Sequence, residues 1–154
     1  MLRAHLDVAI RYSRLSKARR LQVGAIVVKD NRIISIGYNG MPSGWDNNCE
    51  YDDVVLSDAV FGEPQSLISN GLKTRPEVLH AESNAIAKLA RCNDSGDGAD
   101  IFVTHSPCLE CAKLIHQAGI RGVYYGENYR NDAGINFLKR SGIQVTHLKE
   151  EDGN

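Results

Sequence analysis

The sequence has few cysteines and no long apolar run, and each shortage narrows the class of protein. Only four of the 154 residues are cysteine, and without an export signal they indicate a reducing compartment, where disulfides are rare. No apolar stretch approaches the roughly 20 residues that cross a bilayer. The opening M-L-R-A-H-L-D-V-A-I is charged and lacks the apolar segment of a signal peptide. We therefore expect a cytoplasmic chain with no membrane partner.

The sequence also lacks an excess of either charge. It contains 18 Lys and Arg against 19 Asp and Glu, for a formal net charge of −1. A chain without a basic excess has no electrostatic reason to bind a nucleic acid polymer. Hydrophobic residues make up 42% and charged residues 24%, which are ordinary values for a globular protein. The length favours one domain over residues 1–154.

The apolar pattern predicts an α/β fold. Two β-branched runs, 21–28 and 33–38, flank the turn residues K-D-N-R and predict a β-hairpin. After residue 79 strands and helices alternate, which predicts a crossover unit and a mixed sheet. The other predicted elements, in chain order, are helix 2–16, helix 80–91, strand 101–104, a helix from Pro107 to about 118 with Ser106 as N-cap, strand 123–125, helix 133–140 and strand 143–148.

Residues 40–79 fit this alternation least well. They are rich in Gly, Pro, Asp, Asn and Ser and hold one apolar patch at 54–61. We predict a long, partly helical insertion, of the kind that often carries function. Its acidic run N-C-E-Y-D-D (48–53) is interpreted as a solvated face rather than a cation site.

Two of the four cysteines, Cys108 and Cys111, lie three residues apart behind Pro107. At a helix start both sulfurs would share one face, where the helix dipole favours thiolate. Three kinds of site fit this spacing: a thioredoxin-like redox pair, a structural zinc knot with four ligands, and an open zinc site with three ligands and a water. Cys49 and Cys92 are isolated, which disfavours the four-ligand knot.

The tripeptide H-A-E at 80–82 favours the open zinc site. It opens one predicted helix while P-C-L-E-C opens the next, with a strand between them. Helices of a crossover unit begin at the same edge of the sheet, so their first turns can face each other. His80 would then complete the ligand set with Cys108 and Cys111, and Glu82 would act as general acid and base. The pattern H-x-E…P-C-x-x-C is the signature of zinc-dependent base deaminases. The other histidines, His5, His105, His116 and His147, are interpreted as solvated or capping residues.

Four segments of the sequence resemble the deoxycytidylate (dCMP) deaminases of the cytidine deaminase superfamily: V-G-A-I-V-V, G-Y-N-G-M-P-S-G, H-A-E-S-N-A-I and S-P-C-L-E-C-A-K. The likeness extends from about residue 5 to 148. It implies a three-layer α/β/α fold around a five-stranded mixed sheet. It also implies zinc-dependent hydrolysis of dCMP to dUMP and ammonia, which supplies dUMP for thymidylate synthesis.

The resemblance also assigns roles to individual residues. Zinc would be held by His80, Cys108 and Cys111, with Glu82 as the proton shuttle. Asn39 would hydrogen-bond the sugar and Tyr129 would cover the base. A monophosphate needs cationic donors, and the basic residues near these positions are Lys17, Arg20 and Arg130.

Regulation and assembly are implied in the same way. Many relatives are homohexamers that dCTP activates and dTTP inhibits, with Mg²⁺ accompanying the nucleotide, through a site that includes Gly37, Tyr38 and Gly40. The insertion contains Cys49 but no histidine, so we expect one zinc per chain. Two alternatives remain open: a deaminase of dCTP, cytidine or a transfer-RNA adenosine, and a non-catalytic zinc or thiol redox protein.

Overall fold

The computed structural model describes residues 1–149, so the last five residues of the domain predicted over 1–154 lie outside the described part. The elements are α1 (Leu2–Ser13), β1 (Gly24–Lys29), β2 (Arg32–Tyr38), β3 (Glu50–Leu56), β4 (Leu67–Thr74), α2 (Ala81–Leu89), β5 (Asp100–His105), α3 (Leu109–Gln117), β6 (Gly122–Glu127), α4 (Ala133–Arg140) and β7 (Gln144–His147). Within residues 1–149, no helix combines the length and apolar character that crossing a membrane would require.

Five strands form one mixed sheet in the order β2-β1-β5-β6-β7. Strand β1 is antiparallel to both β2 and β5, whereas β5, β6 and β7 are parallel. Asp30 and Asn31 close the β1–β2 hairpin with φ values of 50° and 57°, the left-handed conformation that suits the twist of a tight hairpin. The mixed sheet predicted from the sequence is therefore confirmed.

The sheet carries helices on both faces because its central strands are buried on both sides. In β1, Ala25 and Val27 pack into one cluster with α2, α3 and α4, whereas Ile26 and Val28 pack into a second cluster with α1. Successive side chains of a strand point to opposite faces, so one short run serves both clusters. The result is the three-layer α/β/α arrangement that the resemblance implies.

The insertion is not helical, and that part of the prediction is wrong. It contains a separate antiparallel hairpin of β3 and β4, whose first rung pairs Glu50 with Thr74 and whose last pairs Leu56 with Leu67. The apolar patch misled the prediction because its Leu56, Val60 and Phe61 stay exposed instead of burying a helix face. Tyr51, Val54 and Val55 of β3 are the aromatic and β-branched residues that favour an extended backbone.

Two glycines allow the helices that begin near the candidate site to pack closely. A Cβ on Gly37 of β2 would overlap the carbonyl oxygen of Ala81 in α2. A Cβ on Gly134 of α4 would likewise overlap the carbonyl oxygen of Pro107, just before α3. Because α2 and α3 begin beside the predicted zinc ligands, these contacts fix where those ligands lie.

Replacing Gly37 by Ala should destabilise the fold because the new methyl group must displace α2. Overpacking of this kind costs about 1–3 kcal/mol, which urea denaturation will measure as a lower free energy of unfolding. Gly40→Ala is the matched control, since a Cβ there meets nothing within 4 Å. Equal stability of the two variants would contradict the close packing of β2 on α2.

Candidate metal centre

His80 and Cys108 occupy the N-cap positions of α2 and α3, and neither side chain caps its own helix. The two side chains instead converge: Nδ1 of His80 lies 3.6 Å from Sγ of Cys108 and 3.4 Å from Sγ of Cys111. The three donor atoms all lie within 4.8 Å of one another. The helices begin at the same edge of the sheet, as the sequence predicted.

The chemistry of these three donors fits a zinc ion. One imidazole nitrogen and two sulfurs are a ligand set that zinc prefers, and three protein donors leave a fourth position for water. Without a metal, hydrogen bonds from Cys111 and His80 lower the pKa of Cys108 to about 3. The same contact with Cys108, together with burial, raises the pKa of Cys111. The cluster thus already favours one thiolate, the form that binds metal.

Glu82 lies in the first turn of α2 and is buried, with 5% of its surface exposed. Burial raises the pKa of this carboxyl group, and its own backbone N–H partly offsets the rise. It lines the same cavity as His80 and Cys108. A buried carboxyl group beside a metal site can accept a proton and return it, which is the role predicted for Glu82.

The cavity above the metal ligands, which we call the inner cavity, is also lined by Asn39. The Asn39 amide donates from Nδ2 to the carbonyl of Leu21 and accepts at Oδ1 from the N–H of Val23, both at 2.8 Å. Each end of the amide therefore makes one backbone bond. An amide offers two donors and two acceptor lone pairs, so each end keeps one for a ligand.

Tyr129 lies over the same cavity because Ser106 holds its backbone. The hydroxyl of Ser106 accepts the Tyr129 N–H at 2.7 Å. The prediction that Ser106 caps α3 is wrong, since the helix begins at Leu109 with Cys108 as its N-cap. The interpretation of His105 as a solvated or capping residue is also wrong: its ring lines the inner cavity and bonds the Thr104 hydroxyl at 2.9 Å.

Arg20 and Arg130 line an adjoining space, which we call the outer cavity. Tyr129, Thr74 and His105 line both cavities and so mark their common border. The guanidinium of Arg130 lies 5.7 Å from the centre of the Tyr129 ring. The sequence grouped Lys17 with these arginines, but the structure separates it from them.

A third cavity is lined by Lys17, Tyr38, Gly40, Lys88 and Arg91. We call it the effector cavity only because the resemblance implies an effector site that includes Tyr38 and Gly40. Asn39 lines this cavity as well as the inner one. Gly40 pairs with Leu79 through two backbone hydrogen bonds of 2.8 and 3.1 Å, which fixes the residue before His80. Gly37 does not line the cavity, and its place in the fold is the close contact with α2.

Glu50 is a further residue of the inner cavity that the sequence did not reveal. It was assigned to a solvated acidic run, yet it is 1% exposed and lines the inner cavity. Its Oε1 accepts the backbone N–H groups of Arg19 and Arg20 at 2.9 and 3.1 Å. Backbone donors leave no signature in a sequence, so nothing in the run N-C-E-Y-D-D distinguished this carboxylate from its neighbours.

Comparisons with known proteins converge on one family. Residues 2–127 match the family model described as the cytidine and deoxycytidylate deaminase zinc-binding region. Deoxycytidylate deaminase of Enterobacteria phage T4 is 34% identical over 97% of this chain and 90% of its own length. ComE operon protein 2 of Bacillus subtilis is 37% identical over 99% of this chain and 70% of its own length.

A solved structure gives a similar result over nearly the full chain. The dCMP deaminase of cyanophage S-TIM5, crystallised with dCMP and dUMP, aligns with a TM-score of 0.80 and 40% identity. The alignment covers 96% of this chain and 94% of that protein. The α/β fold described above is therefore shared with a dCMP deaminase.

We expect about one zinc per purified chain, because three protein donors form one open site. Elemental analysis will measure the metal, and a chelator should expose two further reactive thiols, those of Cys108 and Cys111. Cys111→Ser should lose most of the zinc. Cys92→Ser is the control, since Cys92 is exposed and lies outside the cluster. A metal-free chain that cycles a Cys108–Cys111 disulfide would favour the redox alternative instead.

Proposed function

Because this chain belongs to the cytidine and deoxycytidylate deaminase family, we propose that it hydrolyses dCMP to dUMP and ammonia. The observation that carries the proposal is the buried carboxyl group of Glu82 in the same cavity as the His80–Cys108–Cys111 cluster. The identity to a dCMP deaminase over almost the full chain supports dCMP as the substrate. This activity uses free nucleotides and supplies dUMP for thymidylate synthesis, which agrees with the expected cytoplasmic location.

A zinc ion held by His80, Cys108 and Cys111 would activate a water molecule for attack on the amino-bearing carbon of cytosine. Glu82 takes the proton that this water loses and transfers it to the ring nitrogen beside that carbon. Protonation of the ring makes the carbon more electrophilic. Glu82 then assists the transfer of a proton to the amino group, which leaves as ammonia. The balance is one dCMP and one water in, one dUMP and one ammonia out.

Asn39 and Tyr129 orient the nucleotide. Asn39 lines the inner cavity, and the spare donor and acceptor of its amide suit a sugar hydroxyl, which both donates and accepts. Tyr129 is held over the cavity by Ser106 and covers the base. A covered base loses contact with bulk water, which strengthens the hydrogen bonds made to it.

Arg20 and Arg130 bind the phosphate in the outer cavity. They lie beyond Tyr129, at the border with the cavity that would hold the base and sugar. A guanidinium matches the geometry of phosphate oxygens with paired N–H groups. Lys17 lies in the effector cavity, so it is a poorer candidate for the substrate phosphate than either arginine.

We also propose that dCTP activates and dTTP inhibits the enzyme through the effector cavity. Lys17, Lys88 and Arg91 supply positive charge there for a triphosphate, with Mg²⁺ neutralising the remainder. Tyr38, Asn39 and Gly40 line this cavity, and Asn39 also lines the inner cavity, which would connect the effector to the catalytic centre. Assembly into a homohexamer completes the proposal by resemblance to the family.

The substrate proposal is tested by ammonia release from dCMP, dCTP, cytidine and deoxycytidine under matched conditions. We expect the highest kcat/KM with dCMP, because the outer cavity offers two guanidinium groups to a monophosphate. A higher value with an unphosphorylated nucleoside would overturn the substrate assignment. Repeating the dCMP assay with dCTP, or with dTTP and Mg²⁺, tests the regulation, and sedimentation equilibrium tests the hexamer.

Replacing Glu82 by Gln should abolish proton transfer while leaving the metal ligands in place. We expect kcat to fall by at least about 10²- to 10⁴-fold, the usual contribution of a general acid–base group. Zinc content and thermal unfolding should match the unmodified protein, which separates loss of chemistry from loss of the site. An unchanged kcat in Glu82→Gln would overturn the assignment of Glu82 as the proton shuttle, whereas the absence of deamination in the unmodified protein would favour a non-catalytic zinc protein.

A further inference from the structure

The Glu50 carboxylate is buried at the inner cavity and has no part in the proposed chemistry. A buried carboxylate is costly unless its charge is compensated. Here the backbone N–H groups of Arg19 and Arg20 converge on Oε1, and Nε of Arg19 lies 3.4 Å from Oε2. Glu50 therefore fixes the course of the chain at Arg20.

Thr74 holds the side chain of the same arginine. Nη1 of Arg20 donates to Oγ1 of Thr74 at 3.2 Å. Thr74 is paired with Glu50 in the register of the insertion hairpin. One rung of this hairpin thus holds Arg20 twice, at its backbone through Glu50 and at its guanidinium through Thr74. We call the pair Glu50–Thr74 the base rung, since it lies at the open end of the hairpin; the name does not refer to the nucleobase.

The base rung lies between the inner cavity, which would hold the nucleobase and sugar, and the outer cavity, which would hold the phosphate. Glu50 and Thr74 both line the inner cavity, while Thr74 and Arg20 line the outer cavity together with Arg130. Arg20 itself is exposed, so without the rung its long side chain would sample many rotamers. A side chain that is already ordered loses less entropy when it binds a ligand.

We propose that the base rung is a positioning device that directs Arg20 at the substrate phosphate and so lets the enzyme select a nucleoside monophosphate over a nucleoside. This inference rests on the proposed deamination of dCMP. Glu50 and Thr74 are positioning residues: they act through Arg20, and the phosphate is the part of the substrate that they affect.

The decisive variant is Thr74→Val, which keeps the shape of the side chain and removes the hydroxyl group. Loss of one hydrogen bond to a charged group should raise KM for dCMP roughly tenfold with little change in kcat. The kcat/KM for deoxycytidine, which has no phosphate, should fall much less than the kcat/KM for dCMP. Thr74→Ser keeps the hydroxyl group and should restore the KM for dCMP. Glu50→Gln weakens the contacts with the backbone N–H groups of Arg19 and Arg20. It should therefore also lower the kcat/KM for dCMP relative to that for deoxycytidine.

Asp53→Asn is the matched control within the same hairpin. Asp53 pairs with Lys73 at 2.7 Å and with Asn70 at 2.9 Å, and it contacts neither Arg20 nor the cavities. It should weaken the hairpin without changing the preference for dCMP over deoxycytidine. If Asp53→Asn lowers that preference as much as Thr74→Val does, the hairpin acts only as structural support and the inference is overturned.

The outcomes also separate this inference from the proposed function. If the unmodified enzyme does not deaminate dCMP, the proposed function fails and the inference fails with it. If the enzyme deaminates dCMP but Thr74→Val changes the two substrates equally, or changes neither, only the inference is overturned. Should Glu50→Gln fail to fold, Thr74→Val still decides, because Thr74 is exposed and its change leaves the buried carboxylate in place.

Discussion

The site depends on the meeting of two helix starts. His80 and Cys108 are both N-cap residues whose side chains leave their own helices uncapped and turn toward each other. That arrangement sacrifices the stabilisation that a Ser, Thr or Asp would give at either position. It is sustained by packing behind the helices, where Gly37 and Gly134 let neighbouring backbone approach more closely than any side chain would allow. The metal ligands are therefore placed by the core rather than by the loops.

Residues with a local signature were predictable from the sequence. Strands β1, β5 and β6 were predictable as short β-branched or aromatic runs, because both faces of these central strands are buried and need apolar residues at almost every position. Edge strand β2 was predictable from its isoleucines and from the turn residues that precede it. His80, Glu82, Cys108 and Cys111 were predictable for a different reason: the chemistry demands fixed spacings within two helix starts. Neither inference needed knowledge of long-range contacts.

The features that escaped prediction depend on contacts between distant segments. Glu50 belongs to a polar run, and its burial follows from N–H groups about thirty residues earlier in the chain. Ser106 precedes a proline, as an N-cap often does, yet its hydroxyl accepts the backbone N–H of Tyr129 in another loop. Lys17 and Arg20 are near neighbours in sequence but face different cavities. Composition indicated a basic loop and could not say which way each side chain points.

Asn39 stands on the wall that the inner and effector cavities share, and its amide ties the entry of β1 to the exit of β2. The Asn39 amide has two N–H donors and two acceptor lone pairs, and one of each already bonds the backbone. Under the proposed regulation, a nucleotide in the effector cavity that hydrogen-bonds this amide would leave fewer donors and acceptors for the substrate in the inner cavity. Thermodynamic linkage makes that influence mutual: substrate would change effector affinity by the same factor as effector changes substrate affinity.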